Sequence, residues 1–315
     1  MFPVKQRRSI QQRSPGRVLD VNGLRTHVVS RGGGPTVVLC GGLGGNWFDW
    51  DDCAGILSAF HTVVVFDRPG FGLSEPFPHG ETPTVVGEAA RILGVLDALT
   101  LTGPAVIVGH SLAGFYAEAF ARLYPDRTAG VLLLDASAER DPWAVIPKRL
   151  RIEAAYVLAG ALSRTGLQRL LGTTVRRILN QSIPPDGIPI ETHDWIEQIY
   201  RNPTYLEASL IEDFVYPDMA AELNTIRRRT SMPTQEWSLR NDQNKQCPVT
   251  VAAAHTGRPT PWGRMWLNKQ QRLARYLNAK FTVVRDAHHH AMIDQPAEVA
   301  GLIAELVSHH GGVDT

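Results

Sequence analysis

Ala105-Val106-Ile107-Val108 runs directly into Gly109-His110-Ser111-Leu112-Ala113-Gly114, and this stretch decides the reading of the chain. Four apolar residues with no polar alternation predict a strand buried on both faces. Apolar and small residues over 112–123 predict a helix immediately afterwards. A serine between them sits on a sharp turn, so its neighbours two positions away must be small. Gly109 and Ala113 meet that need. The turn lifts the Ser111 hydroxyl above the sheet edge and aims the helix's first N–H groups at any developing anion. A serine that merely caps its helix is the alternative.

The same rhythm extends outward. Upstream, Val37–Cys40 and Thr62–Phe66 are short β-rich runs, and residues 83–99 carry a helical apolar stripe. Val18–Val21 and Thr26–Val29 flank Asn22-Gly23, a hairpin signal. Downstream comes a strand at Val131–Leu134. This order predicts an α/β fold with an open, mostly parallel sheet and helices on both faces. Residues 140–246 read instead as helices and loops, with helical spacing at Leu167, Leu170 and Leu171 and at Trp195, Ile196, Ile199 and Tyr200. Strand and helix then resume: Val249–Ala254, Met265–Leu277, Phe281–Val284 and a last helix after Pro296. The expected organisation is a core of 18–139 and 247–308, a helical cap of 140–246, a basic tail of 1–17 and a short tail of 309–315.

The chain has 315 residues, 43% of them hydrophobic, with 32 Lys and Arg against 31 Asp and Glu. A net charge of +1 argues against nucleic-acid binding through bulk positive charge. Cys40, Cys53 and Cys247 are odd in number and form no CxxC, which suggests a reducing, cytoplasmic setting rather than a disulfide or zinc framework. The longest apolar run, 154–162, is far short of the ~20 residues of a bilayer span, so no transmembrane segment is expected. Lys5, Arg7, Arg8, Arg13 and Arg17 precede the first acid, Asp20, and no apolar leader follows them. A tail, or a weak contact with a membrane surface or partner, fits them.

With these segments in view, the chain resembles enzymes of the α/β-hydrolase fold. Cys40-Gly41-Gly42-Leu43-Gly44-Gly45 resembles the family's His-Gly loop, with Gly41 at the usual His position. Asp67-Arg68-Pro69-Gly70-Phe71-Gly72-Leu73-Ser74 resembles its D-x-x-G-x-G-x-S turn. The resemblance implies that Ser111 is a nucleophile, with the N–H groups of Leu43 and Leu112 as an oxyanion hole. It places the base on the loop before the last helix, His288-His289-His290, seven residues ahead of Pro296, which selects His289. A three-histidine metal site is disfavoured, because consecutive side chains cannot converge on one ion without strain.

The third member of such a triad orients the imidazole. Family members often carry it after the seventh strand, but residues 243–285 contain no Asp or Glu and eight Lys or Arg. The alternative place, after the sixth strand, holds Asp135; Glu139 and Asp141 are spare candidates, and a turn capped with Ser137 is the structural alternative. Leu134-Asp135-Ala136-Ser137, the Trp262, Trp266, Gln271, Leu273-Ala274 pattern and the doubled histidine resemble bacterial α/β-hydrolases whose acid follows strand six.

Ser111 excludes the Asp nucleophile of epoxide hydrolases and haloalkane dehalogenases of this fold, and the Cys of dienelactone-type enzymes. Cys40 and Cys53 read as buried structural residues. No G-x-G-x-x-G opens a helix, so no nucleotide cofactor is inferred. The expected activity is hydrolysis of an ester or lactone of a small-molecule substrate. Cleavage of carbon–carbon bonds by the same triad and a non-catalytic receptor on this fold are the alternatives. Trp195, Tyr200, Tyr205, Leu210, Phe214 and Tyr216 suggest either a hydrophobic substrate site or a buried cap core.

Overall fold

A computed structural model describes residues 14–139, 145–179, 181–230, 232 and 247–311. Eight strands form one sheet: β1 (Arg17–Val21), β2 (Leu24–Arg31), β3 (Thr36–Cys40), β4 (Thr62–Phe66), β5 (Ala105–His110), β6 (Thr128–Leu134), β7 (Val249–His255) and β8 (Lys280–Arg285). Their order is β1-β2-β4-β3-β5-β6-β7-β8. β1 and β2 form the antiparallel hairpin about Asn22-Gly23, β2 pairs antiparallel with β4, and every later pairing is parallel. This is the α/β fold expected from the sequence.

Central strands are buried on both faces, as their unbroken apolar runs require; β5 and β6 are buried throughout. Helices α1 (Asp51–Leu57), α2 (Val85–Ala98) and α3 (Ala113–Leu123) follow β3, β4 and β5. Between β6 and β7 the described residues form four helices: α4 (Lys148–Arg164), α5 (Leu167–Leu179), α6 (Ile190–Tyr200) and α7 (Pro203–Arg229). After β7 come α8 (Pro261–Leu277), α9 (Ala291–Asp294) and α10 (Pro296–Gly311). One core layer packs α2, α3, α8 and part of α7 on the sheet, and the other packs α1, α9 and α10 on the opposite face.

Local chemistry sets the helix ends. Thr84 caps α2 by accepting from the Gly87 N–H, and Thr260 caps α8 by accepting from Gly263 N–H. Pro261 occupies the first turn of α8, where its missing N–H costs nothing. That start lies ahead of the expected Met265.

Buried ion pairs join the insertion to the core. Glu118 on α3 accepts from Arg122 at 2.8 Å and from Arg227 on α7 at 2.6 Å. Inside α7, Pro217 breaks the backbone ladder, and Arg151 of α4 donates to the Phe214 carbonyl there and pairs with Asp218 at 2.8 Å.

Two boundaries differ from expectation. Arg17 already belongs to β1, and the Pro15 carbonyl lies 2.7 Å from His27 Nε2, so the end of the expected tail is packed against the sheet. The last helix runs through Gly311 rather than stopping at residue 308. The remaining basic tail up to residue 13, the spare candidate Asp141 and the end after Gly311 lie outside the described residues. Among the described residues no helix is long and apolar enough to cross a membrane.

The strand order reverses about β3, with β4 on one side and β5 on the other. Such a switch point opens a crevice at the carboxyl ends of the strands. The loops after β3 and β5 meet there, and Gly109 lets β5 approach α3: a Cβ on it would lie 2.4 Å from the Ala113 carbonyl oxygen. Gly109→Ala is therefore expected to lower unfolding stability by about 1–3 kcal/mol through overpacking, measured by denaturant unfolding; an unchanged midpoint would contradict this close approach.

Candidate active site

Ser111 follows β5 with φ +53°, a left-handed conformation costly for a residue with a Cβ. Its backbone is over-determined: the Ser111 N–H donates to Leu134 O at 3.0 Å, and Ser111 O accepts from Gly114 N and Ser137 N at 3.0 and 2.9 Å. Gly114 carries a close approach that the motif reading did not assign, since a Cβ on it would lie 2.6 Å from Ala136 Cβ.

His289, after β8, brings Nε2 to 2.9 Å from Ser111 Oγ and Nδ1 to 2.6 Å from Asp135 Oδ2. Because the carboxylate accepts at Nδ1, that nitrogen carries the proton, and Nε2 is free to accept from the serine hydroxyl. The His289 side chain is 41% exposed while Asp135 is buried at 3%, so the imidazole is open to solvent and the carboxylate is not. Asp135 has φ +45° at the end of β6. Its Oδ1 accepts from the Ala254 N–H at 2.9 Å and the Trp266 indole N–H at 2.6 Å. The structure thus brings Ser111, His289 and Asp135 together. Glu139 is engaged elsewhere, by Lys269 and Tyr216.

The loop after β3 presses on this group. A Cβ on Gly42 would sit 2.7 Å from Ser111 Cβ, so only glycine allows the approach. The Gly42 carbonyl accepts from Gly45 N at 2.9 Å and from the buried Arg68 guanidinium. Both contacts orient the Gly42–Leu43 peptide, whose opposite edge is the Leu43 N–H. Neither the Leu43 nor the Leu112 N–H donates to an acceptor among the described residues.

The three histidines diverge. His288 is exposed, with its N–H 2.7 Å from Asp294 Oδ2. His290 lies with His110 beside His289, the ring centroids 5.0 Å from His110 and 5.3 Å from His289. Burial, then the neighbouring His289 and Arg176, lower the His290 pKa to about 3. Burial, then the two neighbouring imidazoles, lowers that of His110 well below the ordinary 6.5. Neutral His110 donates from Nε2 to the His289 carbonyl at 2.8 Å and fixes that loop.

Sequence reasoning left Trp266, Arg68 and Asp294 without roles, and each acts across more than a hundred residues: Trp266 on Asp135, Arg68 on Glu212, and Asp294 by accepting from the Ser182 hydroxyl at 2.8 Å. Gln271, part of the resemblance, is exposed, and its neighbour Gln270 is the one that donates to Ala136 O at 2.6 Å. Cys40, Cys53 and Cys247 are all unpaired and buried, and burial pushes their thiols up in pKa.

A cavity of about 490 Å³ opens between Leu43, Gly44 and His290 on the core side and Leu162, Tyr205 and Leu210 of the insertion. A second, of about 350 Å³, lies along Asp135, His289, Trp262 and Arg258. His290 borders both. The insertion's apolar and aromatic residues divide: Tyr200, Tyr205 and Leu210 line the first cavity, whereas Trp195 packs on Trp47 and Tyr216 on Phe115.

The model of the alpha/beta hydrolase family matches residues 37–302, and the chain belongs to that family. It is 32% identical over 121 residues to epoxide hydrolase B of Mycobacterium tuberculosis, covering 37% of this chain and 34% of that protein. It is 34% identical over 124 residues to 2-hydroxy-6-oxo-2,4-heptadienoate hydrolase of Pseudomonas putida, covering 38% and 44%. The chain thus spans well under two thirds of the length of these relatives. Among solved structures it is similar to a thermophilic esterase from Thermogutta terrifontis, with TM-score 0.64 and 22% identity over 94% of this chain and 99% of that one. It is also similar to the enol-lactonase of Burkholderia xenovorans, with TM-score 0.58 and 19% identity over 92% and 99%. At these identities the likeness is one of fold.

His110 and His290 stay neutral in the folded protein where unfolded histidine would take up a proton. Below pH 6.5 the unfolded state therefore binds more protons, and stability falls with falling pH. Each group contributes a slope of up to about 1.4 kcal/mol per pH unit. His290→Gln should flatten the stability loss between pH 6.5 and 5 in denaturant melts; an unchanged slope would contradict a neutral His290.

Proposed function

We propose that this chain is a serine hydrolase that cleaves a carboxylic ester or lactone through an acyl-enzyme. The observation that carries this reading is the Ser111 Oγ to His289 Nε2 distance of 2.9 Å, with Asp135 at 2.6 Å behind the ring. His289 takes the Ser111 proton as the oxygen attacks the substrate carbonyl. The tetrahedral oxyanion receives hydrogen bonds from the Leu43 and Leu112 N–H groups, each worth about 2.7–4 kcal/mol. The imidazolium, steadied by Asp135, protonates the leaving alcohol. Water then enters, gives its proton to His289 and attacks the acyl carbonyl, and Ser111 leaves with that proton.

The inserted helices act as a cap, and the mostly apolar cavity between cap and core favours a hydrophobic acyl group of moderate size. No nucleotide, metal or nucleic acid enters this scheme. The unpaired, buried cysteines support a reducing compartment such as the cytoplasm. The M. tuberculosis relative is named an epoxide hydrolase, but the serine at this elbow stands against the Asp-nucleophile chemistry associated with that name. The P. putida relative favours a second reading, carbon–carbon hydrolysis by the same three residues.

A fluorophosphonate probe should label the folded protein and fail on Ser111→Ala. Asp135→Asn should leave folding intact and lower turnover of nitrophenyl esters by about 10⁴-fold. No labelling of folded protein would remove the enzyme reading, and near-normal turnover of Asp135→Asn would move the acid role elsewhere. A panel of esters, lactones and vinylogous diketones separates the two activities.

A further inference from the structure

Helix α4 is built inside out. Toward the core it buries Ala155 and Ala159, two small residues, together with Arg151, whose guanidinium is held by Asp218 and the Phe214 carbonyl. Toward solvent, at helical spacing, it presents Leu150, Ala154, Val157, Leu158 and Ala161. Val157 is 72% exposed and Leu150 53%. An ordinary surface helix has the opposite arrangement. Further exposed apolar residues flank that face in the chain: Val145 and Ile146 before α4 and Leu170 on α5. Scattered exposed apolar residues need no explanation, but a contiguous set on one face marks a contact surface.

Charge selects the occupant. Lys148, Arg149, Arg164 and Arg169 are exposed on the same two helices. Of the seven Lys or Arg across residues 145–179, Arg151 and Arg176 turn inward onto Asp218 and Asp49, and the one acid, Glu153, pairs with Arg149 at 3.0 Å. A second copy of the chain laid on this face about a two-fold axis would set these cations against their own images, which is unfavourable. An apolar stripe rimmed by cations matches the interface of a bilayer carrying anionic headgroups.

We propose that the outer face of α4 and the start of α5 docks on an anionic lipid surface, with Leu150, Val157 and Leu170 in the acyl boundary and Lys148, Arg149, Arg164 and Arg169 at the headgroups. Leu162 and Leu167, from the same helices, line the larger cavity. Docking therefore places that cavity's wall next to the lipid. This proposal stands on the surface alone and does not depend on the hydrolytic reading.

Flotation of the full-length protein with phosphatidylcholine vesicles, with and without 30% phosphatidylglycerol, is the test. Binding is expected with the anionic vesicles and should be weak with neutral ones. Raising the salt should weaken it, because these charges are exposed. Lys148→Glu with Arg169→Glu should lower partitioning into anionic vesicles by at least fivefold for each charge lost. Val157→Ser with Leu170→Ser should lower it as well. Both double variants alter exposed side chains, so circular dichroism and the thermal midpoint should match the parent. Three results would overturn the proposal. One is absence of binding to either vesicle. Another is binding unchanged in both variants, which would assign it to the basic N-terminal residues. The last is a dimer in ultracentrifugation that dissociates on Val157→Ser without vesicle binding, which would make the face a contact between copies.

Discussion

The buried carboxylate of Asp135 is the constraint on which the site depends. A charge removed from water is costly unless every lone pair is met. Its partners come from three separate segments: the Ala254 N–H on β7, the Trp266 indole on α8 and the His289 ring after β8. Satisfying one carboxylate therefore fixes the mutual positions of β6, β7, α8 and the histidine loop. The left-handed backbone at Ser111 and Asp135 is held by the same assembly, because Ser111 N donates to Leu134 O and Asp135 N to Ala252 O.

A second set of buried charges connects this core to the insertion. Arg68 donates both to Glu212 on α7 and to the Gly42 carbonyl beside Ser111, and the Tyr116 hydroxyl also donates to Glu212, at 3.1 Å. Removing either partner would strand a charge in the interior. The seating of α7 and the position of the Gly42–Leu43 peptide are thus coupled through one guanidinium. Tyr205, which donates to Gly44 O at 2.9 Å, adds a further tie at the cavity floor.

Much of this was legible in the sequence where the signal is local. The strand, turn and helix around Ser111 and the hairpin at Asn22-Gly23 are encoded within a dozen residues. So are the alternating strands and helices of both core segments. The absence of acids over 243–285 directed attention to Asp135, and the spacing to Pro296 directed it to His289. What escaped were contacts between distant segments. Nothing near Trp266 or Gln270 announces a partner 130 positions away. The aromatic residues of the insertion could line a cavity or fill a core, and periodicity alone does not separate those roles. Nor does periodicity reveal orientation: α4 has apolar residues on two sides, and only its packing shows that Ala155 and Ala159 face inward while Leu150 and Val157 face outward.

The central claim is that Ser111 is acylated during turnover, with His289 and Asp135 driving both halves of the reaction. Rapid acid quenching of the protein with a slowly hydrolysed activated ester, followed by mass spectrometry, addresses it directly. The account predicts a transient mass increase equal to the acyl group, mapped to the peptide containing Ser111 and absent in Ser111→Ala. Turnover of that ester with no acyl adduct, or an adduct on another residue, would contradict it.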